Sequence, residues 1–440
     1  MLMPIAALAC TIFLVQVARR VAPAVGLVDS PTARKSHQGN VPLVGGIAIF
    51  GALFFVAAFG GLIADHGPFL AGASLLVMVG IWDDVSGVSP PVRFVAQSLA
   101  MLILAIAGGV YLADLGSLLP GIGVLTLGWM AIPFTVFAGV GAINAFNLSD
   151  GVDGVCGTLA LVALAGLGVA AGMAGKTSEL LLITILIGGI VGFLVFNVRL
   201  PQRRQASVFL GDSGSYLLGL SVMYVAIRLS QGPERAIQPV TALWFCMLPL
   251  LDTIGVLLRR LRRGHSPFNP DREHIHHVLL LAKFSVTATW IGLALVAVLG
   301  TAFGLLGVVA GIPDSVMFAG FVMISVLYYG MFTRVWQALT FLSRSINRRA
   351  LVKIDRRVGT ERRLRSEIYY IDGIPKERRS GTERRNNNGD RRNGEEGTDA
   401  TIVNLKQKQS QHESLSPDTG TEKAAQISSG FAAGNRALHD

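Results

Sequence analysis

The chain reads Asn144-Ala-Phe-Asn147-Leu-Ser-Asp150-Gly-Val-Asp153-Gly154 between two apolar runs, at residues 123–143 and 155–175. Each run is about as long as the roughly 20 apolar residues that a helix needs to cross the hydrocarbon core of a bilayer. The stretch between them holds two amides and two carboxylates, and carboxylates beside a bilayer are costly unless they bind a cation, pair with a base or face water. The sequence therefore predicts two membrane-spanning helices with a functional site where they meet.

The composition extends this prediction to most of the chain. Its 440 residues are 51% hydrophobic and 15% charged, whereas an ordinary soluble domain has about 25% charged residues. The mean hydropathy is +0.54. We predict an all-α polytopic membrane protein with about eleven transmembrane helices. The candidate spans are residues 2–18, 43–63, 69–82, 94–113, 123–143, 155–175, 179–197, 208–227, 238–258, 288–311 and 316–333.

The distribution of Lys and Arg predicts the orientation, because cytoplasmic loops are enriched in positive charge. With eleven spans, the odd-numbered loops hold fourteen Lys and Arg residues and the even-numbered loops hold three. We therefore expect the odd loops and the C-terminus to be cytoplasmic and the N-terminus to be periplasmic. Residues 1–333 would form the membrane domain.

Residues 334–440 have a different character and form a basic tail. They hold 21 of the 38 Lys and Arg residues, and Arg356-Arg-Val-Gly-Thr-Glu-Arg-Arg363 recurs as Arg378-Arg-Ser-Gly-Thr-Glu-Arg-Arg385. The tail has too few large apolar side chains to offset chain entropy, so we predict disorder. The basic stretch could lie against anionic lipid head groups. Nucleic acid is not expected, because no aromatic residues interleave with the arginines.

Five polar clusters all fall in the loops that we predict to be cytoplasmic. Oxygen ligands without cysteine suit magnesium or manganese, which bind one or two carboxylates together with substrate phosphates. Cationic side chains beside them would neutralise phosphate oxygens. The set indicates metal-assisted chemistry on a diphosphate, which depends on positioning and charge neutralisation. The clusters contain Lys35 and His37; Asp83 and Asp84; Asn144, Asn147, Asp150 and Asp153; Phe209, Gly211 and Asp212; and Arg272, His274, His276 and His277.

Each cluster also has a simpler interpretation. The aspartates at 83 and 84 could cap the end of a span at the water interface. Residues 150–154 could form an ordinary turn, since Asp and Gly are common in turns. The histidines of loop nine could bind zinc, although no fourth ligand lies at zinc-finger spacing. The arginines at 259–263 fit a positive-inside anchor.

Taken together, the motifs resemble those of the polyprenyl-phosphate N-acetylhexosamine-1-phosphate transferases, the WecA/MraY family of membrane enzymes. The resemblance covers about residues 28–280 by motif and 1–333 by span count. Its motifs occur in the same order as in the family, each in a predicted cytoplasmic loop. The features similar to the WecA branch are Asp29-Ser-Pro, Arg34-Lys-Ser-His-Gln-Gly, Pro42-Leu-Val-Gly-Gly and His274-Ile-His-His.

The resemblance implies transfer of N-acetylglucosamine 1-phosphate from UDP-N-acetylglucosamine to undecaprenyl phosphate at the inner membrane of a bacterium. UMP would be released, and the product would start a surface polysaccharide. The implied cofactor is Mg²⁺, with Mn²⁺ as an alternative, and a homodimer stays open. The implied metal-binding residues are Asp212, Asn147 and Asp84; Asp83 would deprotonate the lipid phosphate beside Lys35 and His37; and the nucleotide sugar would contact Asn144, Asp150, Asp153, Phe209, Arg272, His274, His276 and His277.

Two features depart from the family pattern. Gly87 stands where the WecA branch often has a third acid, and Asn197 precedes Asp212 by fifteen residues, so Asn197 receives no role. Within the enzyme class, another UDP-linked N-acetylated sugar is the alternative substrate. A catalytically inactive scaffold stays open because of Gly87. A transporter is disfavoured, since the acids lie in loops rather than near the midplane and no halves repeat.

Overall fold

The structure is a computed structural model, and it describes residues 2–30, 39–199, 202–203, 205–264, 274–335, 368–371 and 374–377. The chain divides into two compact units, Met1–Arg348 and Arg349–Asp440. The first unit contains the cavity described below.

The first unit is built from helices. Two short strands, β1 (Val28–Asp29) and β2 (Val41–Pro42), pair antiparallel after the first helix. A π-helical turn at Ile103–Ala107 extends the fourth helix. The helices are α1 (Leu2–Val21), α2 (Gly45–Phe59), α3 (Ile63–Ser86), α4 (Pro90–Leu102), α5 (Ala131–Leu148), α6 (Val155–Met173), α7 (Thr177–Asn197), α8 (Gly211–Ser230), α9 (Pro239–Phe245), α10 (Met247–Arg262), α11 (Ile275–Leu281), α12 (Val286–Val309) and α13 (Asp314–Val335).

In the described part of the chain, eight helices are long and apolar enough to cross a membrane. They are α1, α3, α4 with its π-helical turn, α5, α6, α7, α12 and α13. Helices α9 and α10 meet at a bend of 84° and would together make a ninth span. The all-α, multi-pass prediction is therefore confirmed, but the count of eleven is not. The two remaining predicted spans correspond to α2, which has only 15 residues, and to α8.

Helix α3 is longer than the span predicted at residues 69–82. Its first turn contains polar residues that a hydropathy pattern excludes from a span. His66 is fully buried, with Nδ1 2.8 Å from the Tyr224 hydroxyl and Nε2 3.1 Å from Ser178 Oγ. Hydrogen bonds between helices thus allow the polar end of α3 to remain helical.

Helix α8 lies at the centre of the first unit and is buried on nearly every side. Glycines allow its start to approach α2 and α3 closely. A Cβ on Gly46 would lie 2.2 Å from the backbone nitrogen of Gly214, and one on Gly80 would lie 2.3 Å from Ser213 Cα. Only glycine permits backbones to approach so closely. This packing brings the start of α2, the end of α3 and the start of α8 together.

The segment before α8 runs beside the end of the first loop. Phe209 donates its N–H to the Pro42 carbonyl at 2.8 Å, and its own carbonyl accepts from Gly45 N–H at 3.0 Å. Gly46 N–H donates to the Leu210 carbonyl, also at 3.0 Å. These backbone bonds fix the position of Phe209 and of the turn that leads into α8.

In the second unit, the described residues form one antiparallel hairpin of β3 (Ile368–Ile371) and β4 (Ile374–Glu377). Ile371 pairs with Ile374 at the closed end of the hairpin. The hairpin lies between the two copies of the arginine repeat. The predicted disorder of the tail concerns residues that otherwise lie outside the described ones, and it stays a prediction.

Candidate active site

A cavity of about 670 Å³ lies where α3 and α5 end and α8 begins. Its walls come from segments that are far apart in sequence, including β1, the α5–α6 loop, the end of α7 and α11. Four of the five predicted polar clusters therefore contribute to one cavity. The predicted site residues that line it are Asp83, Asp84, Asn147, Asp150, Asp153, Phe209, Asp212 and His277.

Asp212 is held at the first turn of α8 by an amide from α5. Asn147 donates from Nδ2 to Asp212 Oδ1 at 2.6 Å and to Ser215 Oγ at 2.9 Å. The NH₂ group of Asn147 thus donates both of its hydrogen bonds to residues of α8. The amide oxygen of Asn147 is then the atom that could bind a cation. The structure therefore brings Asp212 and Asn147 together, and their predicted binding of a metal ion stays a prediction.

Asp84 caps the N-terminus of α8. Its Oδ1 accepts from the Asp212 N–H at 2.8 Å, and its Oδ2 accepts from the Ser213 N–H at 3.3 Å and the Ser213 hydroxyl at 3.2 Å. The first N–H groups of a helix lack intrahelical acceptors and attract negative charge. Gly211 adopts a φ of +77° immediately before them, and a Cβ there would lie 2.6 Å from Asp84 Oδ2. Asp84 therefore fixes the backbone from which Asp212 projects.

Asp83 is a buried carboxylate whose two oxygens already accept from three donors. Arg93 Nε lies 2.7 Å from Oδ2, and the Tyr216 hydroxyl donates to the same oxygen at 3.1 Å. Val88 N–H donates to Oδ1 at 2.7 Å. Sequence reasoning missed Arg93, which it counted only as a loop charge. The predicted role of Asp83 as a proton acceptor stays a prediction, and its arrangement favours a positioning role.

Asp150 differs from the aspartates around it. It is half-buried, and among the residues that the structure describes no donor hydrogen-bonds to its carboxylate. Burial raises the pKa of Asp150 well above its usual range, and the charges of Asp212, Asp84 and Asp153 raise it further. A carboxylate in this position would gain from a nearby cation.

Two residues that sequence reasoning passed over hold the loop that carries Asp150. Arg199 Nε donates to Asp153 Oδ2 at 2.6 Å, so the carboxylate of Asp153 has a cationic partner. Asn197 accepts from Gly154 N–H at 2.7 Å and donates to the Val208 carbonyl at 2.9 Å. Both residues line the cavity. The fifteen-residue gap before Asp212 hid the role of Asn197, because only the folded chain shows the two segments that it joins.

The three histidines of loop nine have different positions. Only His277 is among the described lining residues, whereas His274 and His276 are 4% and 2% exposed. Burial lowers the pKa of His276 to about 3, and the neighbouring rings of His277 and His274 lower it further. A neutral, buried His276 does not suit the predicted binding of a sugar diphosphate. The structure therefore favours a supporting role for His274 and His276, and their predicted contact with the nucleotide sugar stays a prediction.

The remaining predicted residues lie away from the described cavity wall or outside the described chain. Asn144 donates to Gln97 Oε1 at 2.6 Å and to the Val140 carbonyl at 2.8 Å, one turn of α5 before Asn147. It is not among the described lining residues, so its predicted contact with the nucleotide sugar is not supported. Lys35, His37 and Arg272 lie outside the described residues.

The charge of the cavity indicates what it can bind. Six carboxylates, including that of Asp29, and one guanidinium, that of Arg199, are among the described lining residues. In the described part of the chain, no group of three or more His, Cys, Asp or Glu side chains is arranged to hold a metal ion, and the loop-nine histidines are no exception. Magnesium, by contrast, binds through one or two carboxylates and takes its other ligands from water and phosphates. An acidic cavity with room for a diphosphate fits that mode of binding.

Comparison with known proteins gives consistent results. The profile of "Glycosyl transferase family 4" matches residues 67–230. A protein of Yersinia pestis named undecaprenyl-phosphate alpha-N-acetylglucosaminyl 1-phosphate transferase is 38% identical over 330 residues, which cover 74% of this chain and 90% of the relative. Proteins with the same name are 37% identical in Escherichia coli K12, covering 74% and 89%, and 35% identical in Haemophilus influenzae, covering 76% and 94%.

Proposed function

This chain belongs to glycosyl transferase family 4, among the polyprenyl-phosphate N-acetylhexosamine-1-phosphate transferases, and we propose that it makes undecaprenyl-diphosphate N-acetylglucosamine. The observation that carries the proposal is the acidic cavity, where four motifs meet in a chain that matches relatives of that activity along 74% of its length. The substrates are UDP-N-acetylglucosamine and undecaprenyl phosphate.

The reaction exchanges one phosphoanhydride bond for another. A phosphate oxygen of undecaprenyl phosphate attacks the phosphorus that carries the sugar. The bond from that phosphorus to the bridging oxygen of the UDP moiety breaks, and UMP leaves with that oxygen. The second ionisation of a phosphate monoester has a pKa of about 6, so most of the lipid phosphate is already dianionic at neutral pH. Asp83 is therefore not needed as a base for most molecules, and its contact with Arg93 is its proposed contribution.

We propose that Asp212, Asn147 and Asp84 hold Mg²⁺, or Mn²⁺ in its place. When bound, the ion would neutralise charge on the diphosphate and make UMP a better leaving group. Asp84 contributes by fixing the start of α8, which places the carboxylate of Asp212. Burial and the charges of Asp212, Asp84 and Asp153 raise the pKa of Asp150, so a cation bound here would favour the ionised form of its carboxyl group.

We assign the nucleotide sugar to the side of the cavity that Phe209, Arg199 and His277 line. Phe209 supplies an aromatic ring for the uracil, and His277 contacts the sugar diphosphate. Arg199 is the guanidinium nearest to Asp153, and we propose that it contacts a phosphate oxygen while Asp153 orients it. Guanidinium groups suit phosphate because they donate two parallel hydrogen bonds.

We further propose eleven spans, which place the cavity at the cytoplasmic face of the inner membrane. Helix α8 is surrounded by other helices, so it does not need an apolar surface toward lipid. Helix α2 packs between α1, α7 and α8 and would cross most of the bilayer. The fourteen Lys and Arg residues of the odd loops favour a cytoplasmic position for the cavity. The product would start a surface polysaccharide, and a homodimer stays a prediction.

The test is UMP release by purified full-length protein in detergent with undecaprenyl phosphate, UDP-N-acetylglucosamine and magnesium. We expect Asp212→Asn to reduce turnover by at least about 100-fold, because it removes a carboxylate that we propose as a ligand of the magnesium ion. The matched control is Asp114→Asn, which neutralises an aspartate paired with Arg235 away from the cavity. UMP release only with a different UDP-N-acetylated sugar would correct the substrate. No release with any UDP-sugar would refute the reaction.

A further inference from the structure

A buried carboxylate lies outside the cavity, on α10 in the second half of the bent span. Asp252 is 3% exposed and is not among the described lining residues. A carboxylate within a span is costly unless it is paired. Asp252 has three partners. Its Oδ2 lies 2.9 Å from His274 Nδ1, and its Oδ1 accepts from Ile275 N–H at 3.0 Å and from the Tyr328 hydroxyl at 2.9 Å.

These partners belong to two other helices. Tyr328 is part of α13, while His274 and Ile275 form the start of α11. The first N–H groups of a helix have no intrahelical acceptor, so Asp252 caps α11 and fixes its start against α10 and α13. An ionised carboxylate only accepts hydrogen bonds, which requires the Nδ1 atom of His274 to carry the proton.

From Asp252, the packed rings of His274 and His276 extend toward the cavity. The ring of His274 lies parallel to that of His276, with centroids 5.7 Å apart and planes 4° apart. His276 in turn packs against the loop that carries Asp150, since a Cβ on Gly151 would lie only 2.1 Å from His276 Nε2. The next residue, His277, lines the cavity. One anchored segment therefore contacts the Asp150 loop and presents His277.

We propose that Asp252 is a positioning residue for the nucleotide sugar: through the Nδ1–H of His274 it fixes α11, and α11 places His277 and supports the Asp150 loop. This inference rests on the proposed function, because it assigns Asp252 and His274 an effect on the side of the cavity that binds the nucleotide sugar. It also means that His274 affects the site by holding α11 to Asp252, and not by contacting substrate.

The test compares kinetic constants of purified full-length variants. Asp252→Asn keeps the shape of the side chain but removes the charged acceptor, and His274→Ala removes the donor. We expect each to raise the KM for UDP-N-acetylglucosamine by about tenfold, and the double variant to raise it no further, because the two residues act as one unit. The KM for undecaprenyl phosphate should stay unchanged.

A conservative replacement separates positioning from substrate contact. The side-chain amide of asparagine can donate from the place of Nδ1, so His274→Asn should keep the KM within about twofold of wild type. If His274→Asn and His274→Ala raise the KM equally, the ring itself serves the site and the proposal is wrong. A wild-type KM in Asp252→Asn would also overturn it.

Hydrogen–deuterium exchange of the Ile275–Leu281 peptide measures docking without any turnover. We expect faster exchange in Asp252→Asn and His274→Ala but not in His274→Asn, and unchanged exchange in Asp252→Asn would overturn the proposal. The matched control is Glu179→Gln, which breaks a buried ion pair with Arg228 near the start of α7 and should change neither exchange in α11 nor the KM. A wild-type protein that releases no UMP would refute the proposed function, while the exchange data would still decide whether Asp252 docks α11.

Discussion

The backbone at the start of α8 requires a glycine at position 211. The Gly211→Ala variant tests how strongly stability and activity depend on that glycine. Gly211 has a φ of +77°, and a left-handed conformation costs a residue with a Cβ roughly 1–2 kcal/mol. The new Cβ would also lie 2.6 Å from Asp84 Oδ2. Asp84 cannot move away without losing its hydrogen bonds from the backbone of Asp212 and Ser213. We therefore expect lower stability together with displacement of the Asp212 carboxylate.

Two other glycines separate these effects. Gly87 has a φ of +70° with no atom within 4 Å of its added Cβ, so Gly87→Ala carries the backbone cost without the clash. Gly141 lies inside α5 with open space around it and an ordinary φ. Gly141→Ala should leave stability unchanged or raise it by up to about 1 kcal/mol, because alanine favours helix.

The assay combines thermal unfolding in detergent with UMP release. We expect Gly211→Ala and Gly87→Ala to lower the unfolding temperature, whereas only Gly211→Ala loses turnover, by about 10- to 100-fold, since small displacements at a reacting centre have effects of that size. Gly141→Ala should behave as wild type. If Gly211→Ala turned over as fast as Gly87→Ala, the close packing of Gly211 on Asp84 would not be needed for activity.

Three further predictions concern charge and the tail. Because the folded-state pKa of Asp150 is raised, the loss of stability from ionising it is largest above the folded pKa, shrinks as the pH falls below that value, and is gone below the unfolded pKa of about 3.9. In magnesium-free buffer, Asp150→Asn should therefore unfold at a higher temperature than wild type at pH 8, and an advantage that does not shrink on acidification would contradict this. Arg199→Gln should raise the KM for the UDP-sugar by about tenfold or more. Adding Asp153→Asn to this variant should raise the KM little further, whereas additive effects of the two substitutions on the KM would show that Asp153 does not act through Arg199. Ending the chain after Val335 should leave UMP release by correctly inserted protein largely intact, and a loss of turnover would give the tail a catalytic role.

The membrane helices were largely predictable because hydropathy and length determine which segments can cross a bilayer. Every predicted span overlaps a helix, yet their limits and number were not determined by apolar runs alone. Helix α3 extends beyond its apolar stretch because His66 is hydrogen-bonded inside the bundle. Helix α8 contacts other helices on nearly every side, so its composition does not resemble that of a lipid-facing span. The bend of 84° between α9 and α10 was not predicted from the apolar pattern.

The acids of the site were predictable because carboxylates beside apolar runs require a function or a partner. Their partners were not predictable, since they come from other parts of the chain. Arg93, Arg199 and Asn197 hold the aspartates and the loop between α5 and α6, but in sequence they are two loop charges and an isolated amide. The sequence also offered no way to distinguish His277 from the other two histidines of loop nine, because the burial of His276 and the contact of His274 with Asp252 appear only in the folded chain.

The central claim is that a sugar phosphate, and not a sugar alone, moves to the lipid. Its most direct test uses UDP-N-acetylglucosamine labelled with ³²P at the phosphorus that carries the sugar, with undecaprenyl phosphate, magnesium and purified full-length protein. We predict that ³²P and N-acetylglucosamine pass together into the lipid extract while unlabelled UMP remains in the aqueous phase, and that Asp212→Asn abolishes both changes. Sugar in the lipid extract with the ³²P left behind as UDP would contradict the account.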